Sequence, residues 1–319
     1  MARAKTPIRK PKLRRAKVSP TVEIDPDLYG TYAQFSALAD YVETAAFQHG
    51  SGSEIGLATV LEDINTLPKD QFDDALGKKQ DTATDAASTV FSILAERAFL
   101  LGKAYPFDIS GPRLSFQRRA EPYLALLSVS FLHAIKSKAQ PLPTDEFENL
   151  VLQSLTFGSF KAQSIYERQP GTFRKRVEDV AVALMLPGPP SKLTARVGAK
   201  DEGIDVVAHC WLEDDRPGHW VLIAQATCGK SDIWERKAGE ASPSYARHLF
   251  QLSTTPIPMI AVPHHIENRH LDYIQKKREH VLVLDRVKLT RLLSRGTVTT
   301  KLIDTLKQTS IAVSHDLAK

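Results

Sequence analysis

Two neighbouring segments pair a carboxylate with an amide in a way that suits a hard metal ion. Asp205 lies near the start of a short β-branched, apolar run, and Gln225 lies near the end of the next such run. Runs of this kind are typical of β-strands. Mg²⁺ or Mn²⁺ prefers oxygen ligands to thiols, and such a cation holds water and stabilises charge on a phosphate during phosphodiester hydrolysis. We therefore expect Asp205 and Gln225 to be metal ligands.

The strings around these residues resemble a known motif. Residues 199–208 read AKDEGIDVVA, with a Gly-x-Asp strand, and residues 221–227 read VLIAQAT. The pattern resembles the Mrr-type branch of the PD-(D/E)XK nucleases, in which the aspartate binds the metal, a glutamine replaces the second acid, and a lysine two residues later is catalytic. The resemblance implies a restriction-endonuclease-like fold and a Mg²⁺-dependent deoxyribonuclease, with Asp205 and Gln225 in these two positions.

The position of the motif lysine is occupied by Thr227, which cannot supply a positive charge. Two lysines further along the chain can replace it, because a long flexible stem reaches a site from a nearby helix. We favour Lys237 over Lys230, since it follows Trp234 by about one turn of a predicted helix. The resemblance also implies an acid on the helix before the Gly-x-Asp strand.

For that acid we consider two residues. Glu178 lies in the predicted helix FRKRVEDVAVALM, 27 positions before Asp205, and is our first candidate. Glu148 has a similar context and is the alternative.

A wider resemblance covers about residues 100–295. The string QATCGK, the Trp-containing helix after it and the later strands are similar to a group of bacterial proteins with a QCxTGxNW-like signature, which we associate with restriction or anti-phage loci. The resemblance implies an endonuclease in bacterial defence, with DNA and a defence-system protein as partners. Thr227 favours a second hypothesis, a catalytically inactive nuclease-fold protein that binds nucleic acid or a partner protein.

The positive charge of the chain is concentrated at its amino terminus. The net charge is +5, but residues 1–17 hold eight of the 42 lysines and arginines and no acid, so 34 cations face 37 acids elsewhere, a net charge of −3. We expect this tail to be disordered, and either to neutralise nucleic-acid phosphates or only to keep the chain in solution. The candidate phosphate-binding residues are Arg9, Lys10, Lys12, Arg14 and Arg15.

Apolar periodicity predicts the elements that must position these residues. Three- and four-residue spacings predict helices within residues 26–103, over 121–135 and over 173–185. The Pro- and Lys-containing stretch 136–145 predicts a boundary between lobes. We therefore expect a basic tail (1–20), a helical lobe (21–140) and a nuclease-like domain (141–319).

The second half of the chain contains four short apolar runs that predict strands. Three are nearly continuous in apolar character, which is typical of a sheet covered on both faces. A helical stretch, 232–252, separates the second run from the third, which predicts a mixed sheet and an α+β fold overall. The four runs are residues 204–210, 219–228, 257–262 and 280–284.

Composition excludes several other classes of protein. The longest apolar run, Tyr123–Ile135, is shorter than the roughly 20 residues of a membrane-spanning helix. The amino terminus lacks the apolar segment of a secretory signal, so we expect a cytoplasmic chain without a membrane partner, and we leave open a homo-oligomer. Cys210 and Cys228 show no CxxC spacing and are expected in the core.

We assign no chemistry to the histidines and the charged residues near the carboxyl end of the predicted sheet. Four histidines between residues 264 and 280 have no HxxxH or HExxH pattern, so we expect surface or loop positions. Asp285 and Arg286 close the last predicted strand, and we interpret them as a structural pair at its end.

Overall fold

The computed structural model is an α+β fold, as the sequence predicts. Helices and a small sheet make up the first half of the chain, and a five-stranded mixed sheet flanked by helices makes up the second. The structure describes residues 30–51, 54–60, 82–165, 172–191, 203–210, 220–229, 231–278 and 280–309. The basic tail and Lys230 lie outside these residues.

Helices and strands are interspersed along the chain, and the described helices differ widely in length. The helices are α1 (Gly30–His49), α2 (Thr82–Leu101), α3 (Glu121–Ala134), α4 (Pro143–Phe157), α5 (Phe173–Ala183), α6 (Ser231–Glu240), α7 (Pro243–Leu249), α8 (Asn268–Lys277), α9 (Arg286–Leu293) and α10 (Leu302–Gln308). The strands are β1 (Glu54–Gly56), β2 (Phe107–Ile109), β3 (Arg113–Phe116), β4 (Lys161–Ser164), β5 (Val206–Cys210), β6 (Trp220–Ala226), β7 (Ile257–Ala261) and β8 (Leu282–Leu284).

The large sheet has the strand order β4-β5-β6-β7-β8. The first three strands pair antiparallel, whereas β6, β7 and β8 run parallel. The predicted strands are therefore confirmed as a mixed sheet. Because β5 and β6 are antiparallel, the amino end of β5 lies beside the carboxyl end of β6.

Both faces of this sheet are buried, which explains the continuous apolar runs. Successive side chains of a strand point to opposite faces. Val206 and Leu222 belong to the core formed with α3, α4 and α9. Val207 and Ile223 belong to the core formed with α5 and α7.

Two features of the sheets were not predicted. The edge strand β4 reads KAQS and carries no apolar run, so it shows no strand pattern of its own. The small antiparallel sheet, in the order β1-β3-β2, was missed because β1 lies within residues 26–103, where the spacing predicts helices, and β2 and β3 lie between two predicted helices. Both are held by their neighbours rather than by their own composition.

Helices from both ends of the chain share one core. The helical lobe, defined here as α1 to α3, packs against α9 and α10, which follow the last strand. The apolar core is therefore continuous across the predicted lobe boundary at residue 140. None of the helices that the structure describes combines the length and the apolar character needed to cross a bilayer.

A buried ion pair fastens the helical lobe to the sheet. Arg286, at the start of α9, donates from Nη1 and Nη2 to the two carboxylate oxygens of Asp40 on α1, each at 2.7 Å. Ser130 on α3 donates to Asp40 Oδ2 at 3.0 Å, and Arg97 on α2 lies 2.8 Å from Asp40 Oδ1. Burial raises the pKa of the Asp40 carboxyl, but the two guanidiniums outweigh it and hold the pKa well below its usual value.

A second carboxylate completes this ionic cluster. Glu43 Oε2 accepts from Arg97 at 2.8 Å, and Glu43 Oε1 accepts from the hydroxyls of Tyr105 and Tyr123 at 2.6 and 2.7 Å. Burial raises the pKa of both tyrosines, which keeps them protonated as donors. Two acids thus face two guanidiniums in a buried site, and burial raises the pKa of the Glu43 carboxyl.

We predict that Arg97→Met destabilises the protein by about 3–5 kcal/mol, because two buried carboxylates then face a single guanidinium. The matched control is Arg113→Met, which removes an ion pair with Glu54 whose side chains are 63% and 52% exposed. It should cost at most about 1 kcal/mol. Urea unfolding of both variants measures the difference. Similar losses in the free energy of unfolding would contradict the pairing of two buried acids with two guanidiniums.

Candidate functional site

Asp205 and Gln225 meet where the amino end of β5 lies beside the carboxyl end of β6. Gln225 Nε2 donates to Asp205 Oδ2 at 2.6 Å, and the backbone N–H of Ala226 donates to the same oxygen at 2.6 Å. Backbone bonds fix the strand on both sides, from Asp205 N to Ala224 O and from Ile165 N to Asp205 O. The carboxylate is therefore held in one orientation against the sheet.

The amide oxygen of Gln225 is the unusual atom of this pair. Gln225 Oε1 is buried and accepts no hydrogen bond from any residue that the structure describes. A flipped amide would place this oxygen against the Asp205 carboxylate, so the contact with Asp205 determines the orientation. A buried acceptor without a donor costs about 1–3 kcal/mol, which a bound cation beside it would offset.

Both side chains are enclosed. Asp205 and Gln225 are each 5% exposed. Within the described part of the chain, no three His, Cys, Asp or Glu side chains lie close enough to hold a metal ion. A hard cation at Asp205 would therefore draw its other ligands from the Gln225 amide, backbone oxygens and water, which such ions accept.

A close backbone contact positions the start of β5. Gly203 has φ +77°, and a Cβ at this position would lie 2.8 Å from the carbonyl oxygen of Glu240, at the end of α6. Only glycine allows both this conformation and this approach. The Gly-x-Asp spacing thus sets α6 directly against the strand that carries Asp205.

The candidate lysines have different outcomes. Lys237 lies on α6, where its Nζ binds Glu240 Oε2 at 2.6 Å and its side chain is 26% exposed. This places it on the helix that contacts Gly203. Thr227, in the motif lysine position, accepts a hydrogen bond from Gly229 N at 3.1 Å, so its hydroxyl shapes the turn after β6. Lys230 is not among the described residues.

The two candidate acids lie on different helices. Glu178, on α5, forms an ion pair with Arg174 at 2.9 Å, so its carboxylate is engaged along the helix surface. Glu148 lies on α4, which packs on the face of the sheet opposite to α5. Burial raises the pKa of the Cys228 thiol, and the negative charge of Glu148 acts in the same direction.

Sequence reasoning missed a tryptophan-centred contact beside the site. We name residues 227–229 the β6 turn and residues 262–266 the β7 loop. Trp234 Nε1 donates to Gly229 O at 2.8 Å, and its indole stacks on the His264 ring with centroids 5.8 Å apart. His264 Nε2 lies 3.2 Å from Cys228 O. The β6 turn and the β7 loop are therefore held together.

The β7 loop is more buried than the sequence indicated. His264 and His265 are in a loop, as expected, but His265 is only 3% exposed. Burial lowers the pKa of His265 to about 3, and the positive charges of Arg97 and Arg286 act in the same direction. The interpretation of Asp285 and Arg286 as a mutual pair was wrong. Asp285 caps α9 by accepting from Lys288 N, while Arg286 binds Asp40.

Comparisons with family models, curated proteins and solved structures return no significant match for the chain.

We predict that Gly203→Ala is more destabilising than Gly102→Ala. Both glycines have positive φ, but a Cβ at Gly102 meets no atom within 4 Å. Gly102→Ala should cost about 1 kcal/mol of backbone strain. Gly203→Ala should cost about 2 kcal/mol more, because the methyl group crowds the Glu240 carbonyl. Thermal and urea unfolding measure both losses; equal values would refute the proposed close packing.

We predict a loss of stability below neutral pH that depends on His265. A free histidine has a pKa near 6.5, whereas burial holds the folded value for His265 at about 3. Between these values the unfolded chain binds the extra proton, so the free energy of unfolding falls as the pH falls. The contribution is about 1.4 kcal/mol per pH unit between about pH 6 and pH 4. His265→Gln should remove this part of the slope; an unchanged slope would contradict it.

Proposed function

We propose that this protein is a metal-dependent endonuclease that hydrolyses phosphodiester bonds in DNA. The observation that carries the proposal is the contact between Asp205 and Gln225, which sets a carboxylate beside a buried amide oxygen that accepts no hydrogen bond from the described residues. The sequence motif around these two residues supports the same reading. A role in bacterial restriction or antiviral defence is part of the proposal.

The chain supplies the ligands for a hard cation. Asp205 would hold such a cation through its carboxylate, and Gln225 would contribute its buried amide oxygen. Bound there, Mg²⁺ or Mn²⁺ would activate water and neutralise charge on the phosphate. The donors from Gln225 and Ala226 hold the Asp205 carboxylate in one orientation.

Positive charge for the phosphate would come from α6. Lys237 is partly exposed and binds Glu240, and a lysine ammonium is a compact point charge on a flexible stem. In this mechanism Lys237 exchanges the Glu240 carboxylate for a phosphate oxygen. The Asp205 carboxylate and the Gln225 amide keep their positions, since both are built into the strand pairing.

Two observations favour a second function, in which the chain binds nucleic acid or a partner protein without cleaving. Thr227 occupies the motif lysine position, and its hydroxyl is used by the turn. Asp205 and Gln225 are each 5% exposed, so a scissile phosphate has little direct access to either. Both features are compatible with a nuclease fold retained for binding.

Plasmid nicking in Mg²⁺ or Mn²⁺ tests the first proposal. Asp205→Asn should reduce the rate by about 100-fold or more, since even partners one step removed from a metal are worth about 10–100-fold. Asp304→Asn is the control, because this acid is 69% exposed and lies on α10. Mn²⁺ binding followed by electron paramagnetic resonance should be lost in Asp205→Asn and kept in Asp304→Asn.

The outcomes separate the two functions. Equal nicking by wild type and Asp205→Asn would remove the proposed site. A wild-type protein that binds DNA but neither cleaves it nor binds Mn²⁺ would support the second function instead.

A further inference from the structure

We propose that the Asp40–Arg286 pair is a positioning device through which the helical lobe sets the conformation of the β6 turn. The importance of this turn for catalysis rests on the proposed function, whereas the coupling itself does not. The inference starts from an unusual placement. The partner of Arg286 is 246 residues away in the chain, on α1, and both side chains are enclosed in the core.

The first step leads from the ion pair to the β7 loop. Arg286 uses its Nη atoms for Asp40, and its Nε donates to the carbonyl oxygen of Pro263 at 2.8 Å. The backbone N–H of Arg286 donates to His264 O at 2.9 Å. One residue thus binds α1 through its side chain and holds two successive carbonyls of the β7 loop.

The second step leads from the β7 loop to the β6 turn. His264 contacts the carbonyl oxygen of Cys228 through Nε2, and its ring stacks on Trp234. Trp234 in turn donates to Gly229 O, and Gly229 N donates to Thr227 Oγ1. The loop that Arg286 anchors therefore holds Cys228 directly, Gly229 through Trp234, and Thr227 through Gly229 and Trp234.

The physical character of the first link makes the coupling rigid. A guanidinium and a carboxylate in a low-dielectric interior cannot exchange their partner for water, so the fork of Arg286 is fixed wherever Asp40 is fixed. Asp40 is fixed by α1, with added donors from Arg97 on α2 and Ser130 on α3. A shift of the helical lobe must therefore move Arg286, and with it the β7 loop and the β6 turn.

The test uses the full-length chain with Trp234 as the reporter. Trp211→Phe and Trp220→Phe leave this indole as the single tryptophan. In that background Asp40→Asn should shift the Trp234 emission to longer wavelength. Hydrogen exchange of the peptides covering residues 226–236 and 262–267 should also become about tenfold faster, because the loop loses its charged anchor.

Val42→Ala is the matched control. Val42 is buried on the same helix and belongs to the apolar core, so its truncation weakens α1 without touching the ion pair. Measured while both variants are fully folded, Val42→Ala should leave the emission and the exchange of the two peptides unchanged. The same response in both variants, or no response in Asp40→Asn, would overturn the proposal.

A milder variant covers the case in which Asp40→Asn does not fold. Ser130→Ala removes the one hydroxyl that donates to Asp40 and accepts from Arg286, and it leaves both charges in place. It should produce the same changes with smaller amplitude, and its failure to do so in a folded protein would also overturn the proposal. Neither readout uses substrate, so absence of nicking by the wild type would refute the proposed function and leave the coupling standing.

Discussion

Taking a carboxylate and a guanidinium out of water costs several kcal/mol for each ion. The attraction between them offsets this cost only when the geometry is good and additional hydrogen bonds satisfy the remaining polar atoms. The pair formed by Asp40 and Arg286 meets this condition through two short parallel hydrogen bonds and the added donor of Ser130. If this contact were broken, Asp40 would keep only Arg97 and Arg286 would keep only its longer contact with Glu43, so the buried charges favour one arrangement of α1 and the start of α9. The rest of the fold is built around that arrangement.

Strand register imposes a comparable constraint on the large sheet. Asp205 and Gln225 lie on adjacent strands whose register is fixed by backbone bonds, and a slip of one residue would send either side chain to the other face. Register therefore determines that carboxylate and amide meet. The same burial that fixes this register also encloses both groups, and the proposed nuclease function depends on this one contact.

The parts of the fold that the sequence predicted are those with strong local patterns. β5 to β8 are continuous apolar runs because both faces of the sheet are covered, and the α5 helix follows a clear apolar stripe. β4 was missed because an edge strand needs only a partner for its backbone, so its side chains stay polar. The burial of His265 was missed because nothing in its neighbours along the chain indicates a loop enclosed by other elements.

The candidate site was predicted in the same uneven way. Asp205 and Gln225 were placed together because adjacent strands with known spacing bring fixed positions side by side. Glu148 was only the alternative acid, and its charge contributes to the raised pKa of the Cys228 thiol. The spacing of residues along the chain does not show how a helix packs across a sheet. Lys237 was placed on the correct helix, but its contact with Glu240 follows from the rotamer of a long side chain.

By itself the sequence determined the class of fold, four of the five strands of the large sheet and the pairing of Asp205 with Gln225, because these follow from periodicity and from neighbours along the chain. Only the tertiary structure decided that Arg286 binds Asp40 rather than Asp285. A buried charge selects its partner by where the folded chain places an opposite charge out of water, and distance along the sequence has no influence on that choice.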